Sequence, residues 1–219
     1  MHGLGPGDTV LMPSPLTHVS GIAHALLVPA ALGTTAVLMP RWDPSAALEL
    51  IAAEGVTYMV GAPTFLRDLA QHPALDPARI DSFRLFSCGG ADVDPALVRS
   101  AAARLGCVAK RVYCSTEFPT ISTTSPDDPP SRRVDSEGRP IGAVRIRLVD
   151  DDGREVPAGV EGEILARGPE CFLGYRDASL NAETFTPDGW FRTGDLGTLD
   201  AEGYLRITGL KKDIIIRKG

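Results

Sequence analysis

Short apolar runs alternate with longer amphipathic stretches through the first half of the chain, and the pattern changes near residue 120. Residues 10–12 and 35–39 read as strands, with a helix over 19–32 between them. Asp43-Pro44 opens the next helix, because aspartate accepts from free N–H groups and proline tolerates the first helical position. Leu48, Ile51 and Ala52 form its apolar stripe, and Gly55 fits its C-terminal stop. Residues 57–60 read as a strand, 63–71 as a helix, and 84–87 as a strand that ends in Gly89-Gly90. Asp94-Pro95 repeats the opening device for a helix that stops at Gly106, and 108–113 is the next strand. This alternation with short connections predicts an α/β fold, a parallel-rich sheet covered by helices.

Beyond residue 120 the helical period disappears. Residues 122–135 are rich in Ser, Thr, Pro and Asp and read as loop. Residues 144–149 alternate in strand period, Asp151-Asp152-Gly153 is a turn, and 163–167 and 204–208 are further strands. This half predicts an antiparallel β unit. The stretch 21–39 carries no formal charge and is almost long enough to span a bilayer, but His24, Pro29, Gly33, Thr34 and Thr35 interrupt it. It reads as a buried helix followed by a buried strand.

Composition narrows the picture. Of 219 residues, 43% are hydrophobic and 23% charged, which excludes wholesale disorder. The 23 glycines and 18 prolines follow no G-x-y period, so they mark loops and not collagen. A net charge of −6 without a basic block argues against a nucleic-acid partner. The first residues have neither the basic nor the apolar region of a signal peptide. Cys88, Cys107, Cys114 and Cys171 form no C-x-x-C pair and have no histidine at zinc spacing, so they read as reduced thiols of a cytoplasmic protein.

Three short segments could carry chemistry. Ser87-Cys88-Gly89-Gly90-Ala91 follows a strand and precedes a helix, where a parallel sheet opens its ligand crevice. It is either a tight turn or a place where a flat ring approaches the backbone. Tyr113-Cys114-Ser115-Thr116-Glu117 offers a ring, hydroxyls for phosphate oxygens and a carboxylate for Mg²⁺, or plain turn chemistry. Arg192-Thr193-Gly194-Asp195 reads as a loop between β segments, where Asp195 either closes an Asx-turn or accepts two bonds from a ribose diol. His18, beside an apolar helix, reads as a packed core residue or a ligand, and Cys88 and Cys114 as small buried hydrophobes.

The order and spacing of these segments resemble the adenylate-forming superfamily of acyl-CoA synthetases, luciferases and peptide-synthetase adenylation domains. Pro15-Leu16-Thr17-His18-Val19-Ser20-Gly21 resembles the family's histidine loop. Ser87 to Ala91 resembles its adenine-binding segment, and Tyr113 to Glu117 its Tyr-Gly-x-Thr-Glu loop. Gly162-Glu163-Ile164 through Gly174-Tyr175 resembles its Gly-Glu…Gly-Tyr motif, Thr193-Gly194-Asp195 its ribose site, and Gly209 to Asp213 its hinge.

The resemblance implies an AMP-dependent acyl-CoA ligase. A carboxylate would attack the α-phosphate of Mg·ATP, and coenzyme A would then take the acyl group from the adenylate. It implies that Thr116 contacts the α-phosphate and Glu117 ligates Mg²⁺. Gly89, Gly90 and Ala91 would line the adenine and the acyl pocket, and Tyr113 would stack on adenine. Asp195 would hold the ribose, His18 would line the acyl pocket and the thiol approach, and Lys212 would be the hinge.

It also implies a division into an α/β subdomain at 1–130, a β-barrel-like subdomain at 131–208 and a hinge strand at 209–219. The phosphate loop would precede residue 1, and a small C-terminal domain carrying the catalytic lysine would follow residue 219, so this chain alone would have weak activity or none. Two positions depart from the pattern: Cys114 replaces a glycine, and Leu210 replaces a ribose-reaching arginine. The alternatives are a non-catalytic fragment that binds nucleotide or acyl-adenylate, and an adenylation domain that serves a carrier protein. A Rossmann dehydrogenase fits poorly, because no G-x-G-x-x-G follows a strand.

Overall fold

The computed structural model describes residues 2–211; Lys212 and the three isoleucines after Asp213 lie outside the described residues. Among the described residues, two sheets form. The first contains β1 (Thr9–Met12), β2 (Thr35–Leu38), β3 (Tyr58–Gly61), β4 (Leu85–Gly89) and β5 (Val108–Tyr113), parallel and in the order β2-β1-β3-β4-β5. Two short antiparallel strands, β6 (Ser122–Thr123) and β7 (Arg139–Pro140), extend it beyond β5. The first sheet therefore continues past residue 130.

The local signals act as the sequence predicts. Asp43 accepts from the N–H groups of Ser45 and Ala46 at the start of α3 (Pro44–Glu54), and Gly55 ends it in the left-handed region at φ +60°. Asp94 accepts from the N–H of Ala96 to start α5 (Pro95–Leu105). With α4 (Pro63–Gln71) these helices cover one face, burying Ile51, Leu66, Leu69 and Val98 against Leu11, Met59 and Phe86. The opposite face of the same strands buries Val10, Met12, Tyr58, Val60 and Leu85 with Ala25. Burial on both faces is what a parallel sheet requires.

Residues 19–32 are helical throughout, as α1 (Val19–Ile22), a π-helical turn (Ala23–Leu27) and α2 (Val28–Leu32). They are not the buried helix the sequence predicts. Ile22, Leu26, Leu27 and Leu32 are exposed, as is Leu38 on β2, because β2 is the edge strand and this segment covers the sheet with one side only.

The second sheet is antiparallel, in the order β11-β10-β9-β8, with β8 (Arg145–Val149), β9 (Gly162–Arg167), β10 (Phe191–Leu199) and β11 (Leu205–Leu210). Its core of Leu148, Ile164, Ala166, Phe191 and Leu205 packs onto Tyr113, Phe118 and Ile121, the segment that leaves β5. Residues 122–135 are not all loop: they hold β6 and α6 (Pro130–Asp135), whose entry by proline is the N-terminal signal. A further helix, α7 (Ala178–Thr184), starts at the capping residue Asp177.

Candidate functional site

Because β1, β3, β4 and β5 are parallel, the segments that follow them leave from one edge of the sheet. That carboxyl edge carries the His18 loop, the Gly61-Ala62 turn, the Gly89–Ala91 turn and the segment 113–117. Gly21 lets the His18 loop fold back, since a Cβ there would lie 2.0 Å from the carbonyl oxygen of Pro15. His18 is exposed and is no core residue. It caps α1, its Nδ1 accepting from the N–H of Ser20 at 3.2 Å and lying 2.7 Å from the Ser20 hydroxyl.

The two glycines after β4 do different work. A Cβ on Gly89 would meet the carbonyl oxygen of Val112 at 2.3 Å, so close strand packing demands glycine. Gly90 turns the chain at φ +79° into open space, and Gly90 and Ala91 are exposed. The Cys114 thiol reaches the Gly90 backbone, joining this turn to the next loop, and burial holds the thiol protonated. In that loop Ser115 and Phe118 exchange hydrogen bonds: the Ser115 N–H donates to the Phe118 carbonyl at 3.0 Å, and the Phe118 N–H to the Ser115 hydroxyl at 3.1 Å. Thr116 at its tip is exposed, and its hydroxyl bonds none of the described residues.

The second sheet meets this edge at two carboxylates. The Tyr113 hydroxyl donates to Asp195 Oδ2, joining positions 82 residues apart. Asp195 lies inside β10, not in a loop. The strand bulges there: pairing with β9 is irregular between Arg192 and Leu196, and Gly194 has φ +77°. Burial raises the Asp195 pKa against the pull of the Tyr113 bond, and burial also raises Tyr113. Tyr113 is 5% exposed. Leu210, where the resemblance expects an arginine, is the direct cross-strand partner of Asp195.

Glu117 is held by the Gly-Tyr segment. The Phe172 N–H donates to the Glu117 carbonyl at 2.8 Å, and the Tyr175 hydroxyl to Glu117 Oε1 at 2.7 Å. That bond pushes the Tyr175 phenol up to about 12. The Gly-Tyr motif carries no sign of this task in the sequence, because a pairing across 58 residues has no local signal. Glu117 Oε2 and Asp195 Oδ1 accept nothing from the described residues. Among those residues no group of three or more His, Cys, Asp or Glu is gathered as a protein cage. A single carboxylate with one free oxygen fits Mg²⁺ carried by nucleotide phosphates, which keeps water and phosphate ligands and takes one or two carboxylates.

A parallel sheet whose carboxyl edge gathers glycine turns, a free hydroxyl and two half-satisfied carboxylates has the form of a ligand-binding α/β domain. Residues 1–176 match the family described as AMP-binding enzyme. The chain is 38% identical to a medium-chain fatty-acid–CoA ligase of Escherichia coli over 213 residues, covering 97% of this chain and 38% of that protein. It superposes on ATP-bound MatB from Rhodopseudomonas palustris with a TM-score of 0.88 at 32% identity, over 97% of this chain and 42% of the other. It superposes on the amide bond synthetase McbA from Marinactinospora thermotolerans with a TM-score of 0.86 at 37% identity, over 99% and 44%. The chain thus spans less than half the length of these relatives. The chain belongs to the AMP-binding enzyme family, within the adenylate-forming superfamily that its motifs resemble. Among the described residues no helix is long and apolar enough to cross a membrane.

Proposed function

We propose that this chain supplies the adenylate-binding part of an AMP-forming acid–thiol ligase, with an α/β subdomain that runs past residue 130 through β7, a β-barrel-like subdomain from there to residue 208 and a hinge at 209–219. In the whole protein a carboxylate oxygen attacks the α-phosphorus of ATP, a P–O bond forms, and pyrophosphate leaves. The coenzyme A thiol then attacks the acyl carbonyl, and AMP leaves. Thr116 donates its free hydroxyl to the α-phosphate. Glu117 would hold Mg²⁺, which neutralises phosphate charge when bound. Gly89, Gly90 and Ala91 flank the adenine and the acyl group, Tyr113 packs beside the adenine, and Asp195 accepts from the ribose hydroxyls. His18 lines the acyl pocket and the thiol approach, and Lys212 serves as the hinge.

The observation that supports this reading is the Tyr113–Asp195 bond, which brings the Asp195 carboxylate of the second sheet to the start of the Thr116 loop of the first. The relatives named for CoA ligation support a thiol acceptor. The amide bond synthetase supports a second reading, in which an amine takes the acyl group. The four free cysteines support a cytoplasmic setting. The test is pyrophosphate release by the full-length protein from Mg·ATP with a panel of carboxylates. Release that depends on a carboxylate, followed by thioester formation with CoA, is expected. Turnover only with an amine selects the second reading. Binding of nucleotide without pyrophosphate release removes the ligase reading and leaves a binding module.

A further inference from the structure

Tyr175 sits in an exposed loop, yet it is held from several sides. Asn181 of α7 accepts from the Tyr175 N–H through Oδ1 at 2.7 Å and donates to the Tyr175 carbonyl through Nδ2 at 3.2 Å. Gly174 enters this clamp at φ +128°, and a Cβ there would lie 3.0 Å from the Asn181 amide. The Phe172 ring stands edge-on to the Tyr175 ring at 4.8 Å and stacks on Phe185 at 5.5 Å. The chain of contacts ends at the Glu117 carboxylate, 2.7 Å from the Tyr175 hydroxyl, beside the backbone bond from Phe172 to Glu117. A side chain fixed at both backbone groups and at its ring has little freedom left, so its hydroxyl marks a defined point in space.

We propose that Tyr175 is a positioning residue. Its hydroxyl occupies Glu117 Oε1, which fixes the carboxylate and leaves Oε2 as the oxygen offered to a divalent cation on the nucleotide phosphates. This rests on the reading of Glu117 as the Mg²⁺ ligand. Partners of this kind orient the ligand they touch, and their removal typically weakens metal affinity by about 10–100-fold. Without the hydroxyl, Glu117 must lose rotational freedom when the cation arrives, and that ordering opposes binding.

The test uses Mn²⁺ as a paramagnetic probe with this chain. Water-proton relaxation follows binding of Mn·ATP, and calorimetry in EDTA follows binding of metal-free AMP. Tyr175→Phe removes only the hydroxyl. It is expected to weaken Mn·ATP binding by about 10–100-fold and to leave metal-free AMP binding unchanged. Glu117→Gln is expected to abolish the same metal-dependent gain. If Tyr175→Phe weakens both ligands alike, the tyrosine is merely structural and the proposal is overturned. If wild type binds both and Tyr175→Phe changes neither, the positioning role fails while the nucleotide site stands. If the folded wild type binds neither, the reading of the site fails, and the proposal with it.

Discussion

At the junction of β5, β6 and β11, Glu137 pairs with Arg111, accepts from the Ile207 N–H at 2.9 Å and donates its own N–H to Leu205 at 2.8 Å. The two side chains are 4% and 7% exposed. Beside them the Lys110 ammonium donates to the Thr123 hydroxyl, which donates on to the Arg111 carbonyl at 2.9 Å. At the carboxyl-edge junction, by contrast, Asp195 and Glu117 each receive one side-chain bond and each keep one oxygen unbonded among the described residues. Both junctions tie the first sheet to the second with a carboxylate. In the buried one both Glu137 oxygens are engaged, because an unpaired buried group is costly. At the edge the acceptors are left over, and water or a ligand can reach them. The same residue type is thus fully bonded at one seam and left with an open acceptor, among the described residues, at the other.

The comparison breaks most visibly at Glu137. Glu137→Ala strands a buried guanidinium and is expected to cost about 3–5 kcal/mol in urea unfolding. Replacing both partners, Arg111→Met with Glu137→Leu, is expected to recover most of that loss. A single substitution that leaves the unfolding midpoint unmoved contradicts the structural role of this seam.

Lys110 gives the next effect through pH. Burial lowers its pKa to about 7 from the ordinary 10.5. Between these values the unfolded chain binds the extra proton, so stability rises with pH; below about 7 both states are charged and the penalty is complete. From about pH 9 the buried thiols of Cys88 and Cys107, raised to about 12 by burial, act in the opposite direction. Stability is therefore expected to climb by roughly 2 kcal/mol from pH 7 to 9. Lys110→Met should flatten that slope, and an unchanged slope refutes the assignment.

At the edge the two glycines separate packing from turning. Gly89→Ala forces a Cβ against the Val112 carbonyl and should cost about 1–3 kcal/mol. Gly90→Ala meets open space and should cost only about 1 kcal/mol, from its positive φ. Equal costs would show that both positions are packed alike.

What the sequence revealed follows from how local each signal is. Asp43, Gly55, Asp94 and Gly106 act within a few residues, and the helices they bound stand where expected. The glycine turn and the Thr116 loop fall at the carboxyl edge because parallel strands of short connection must end together. Three features were not legible. The bulge at Gly194 breaks strand period, so β10 looked like a loop around Asp195. The two-residue strands β6 and β7 are too short for any period. The pairs Tyr113–Asp195 and Glu117–Tyr175 span 82 and 58 residues, a separation that only the meeting of the two sheets closes.

The most direct test is calorimetric titration of this chain with a non-hydrolysable acyl-adenylate mimic, beside Asp195→Ala. Charged acceptors of this kind contribute about 1.5–3 kcal/mol, so the variant should bind roughly 10–100-fold more weakly while remaining folded. Equal binding by both chains, or none by the folded wild type, contradicts an adenylate site built at this edge.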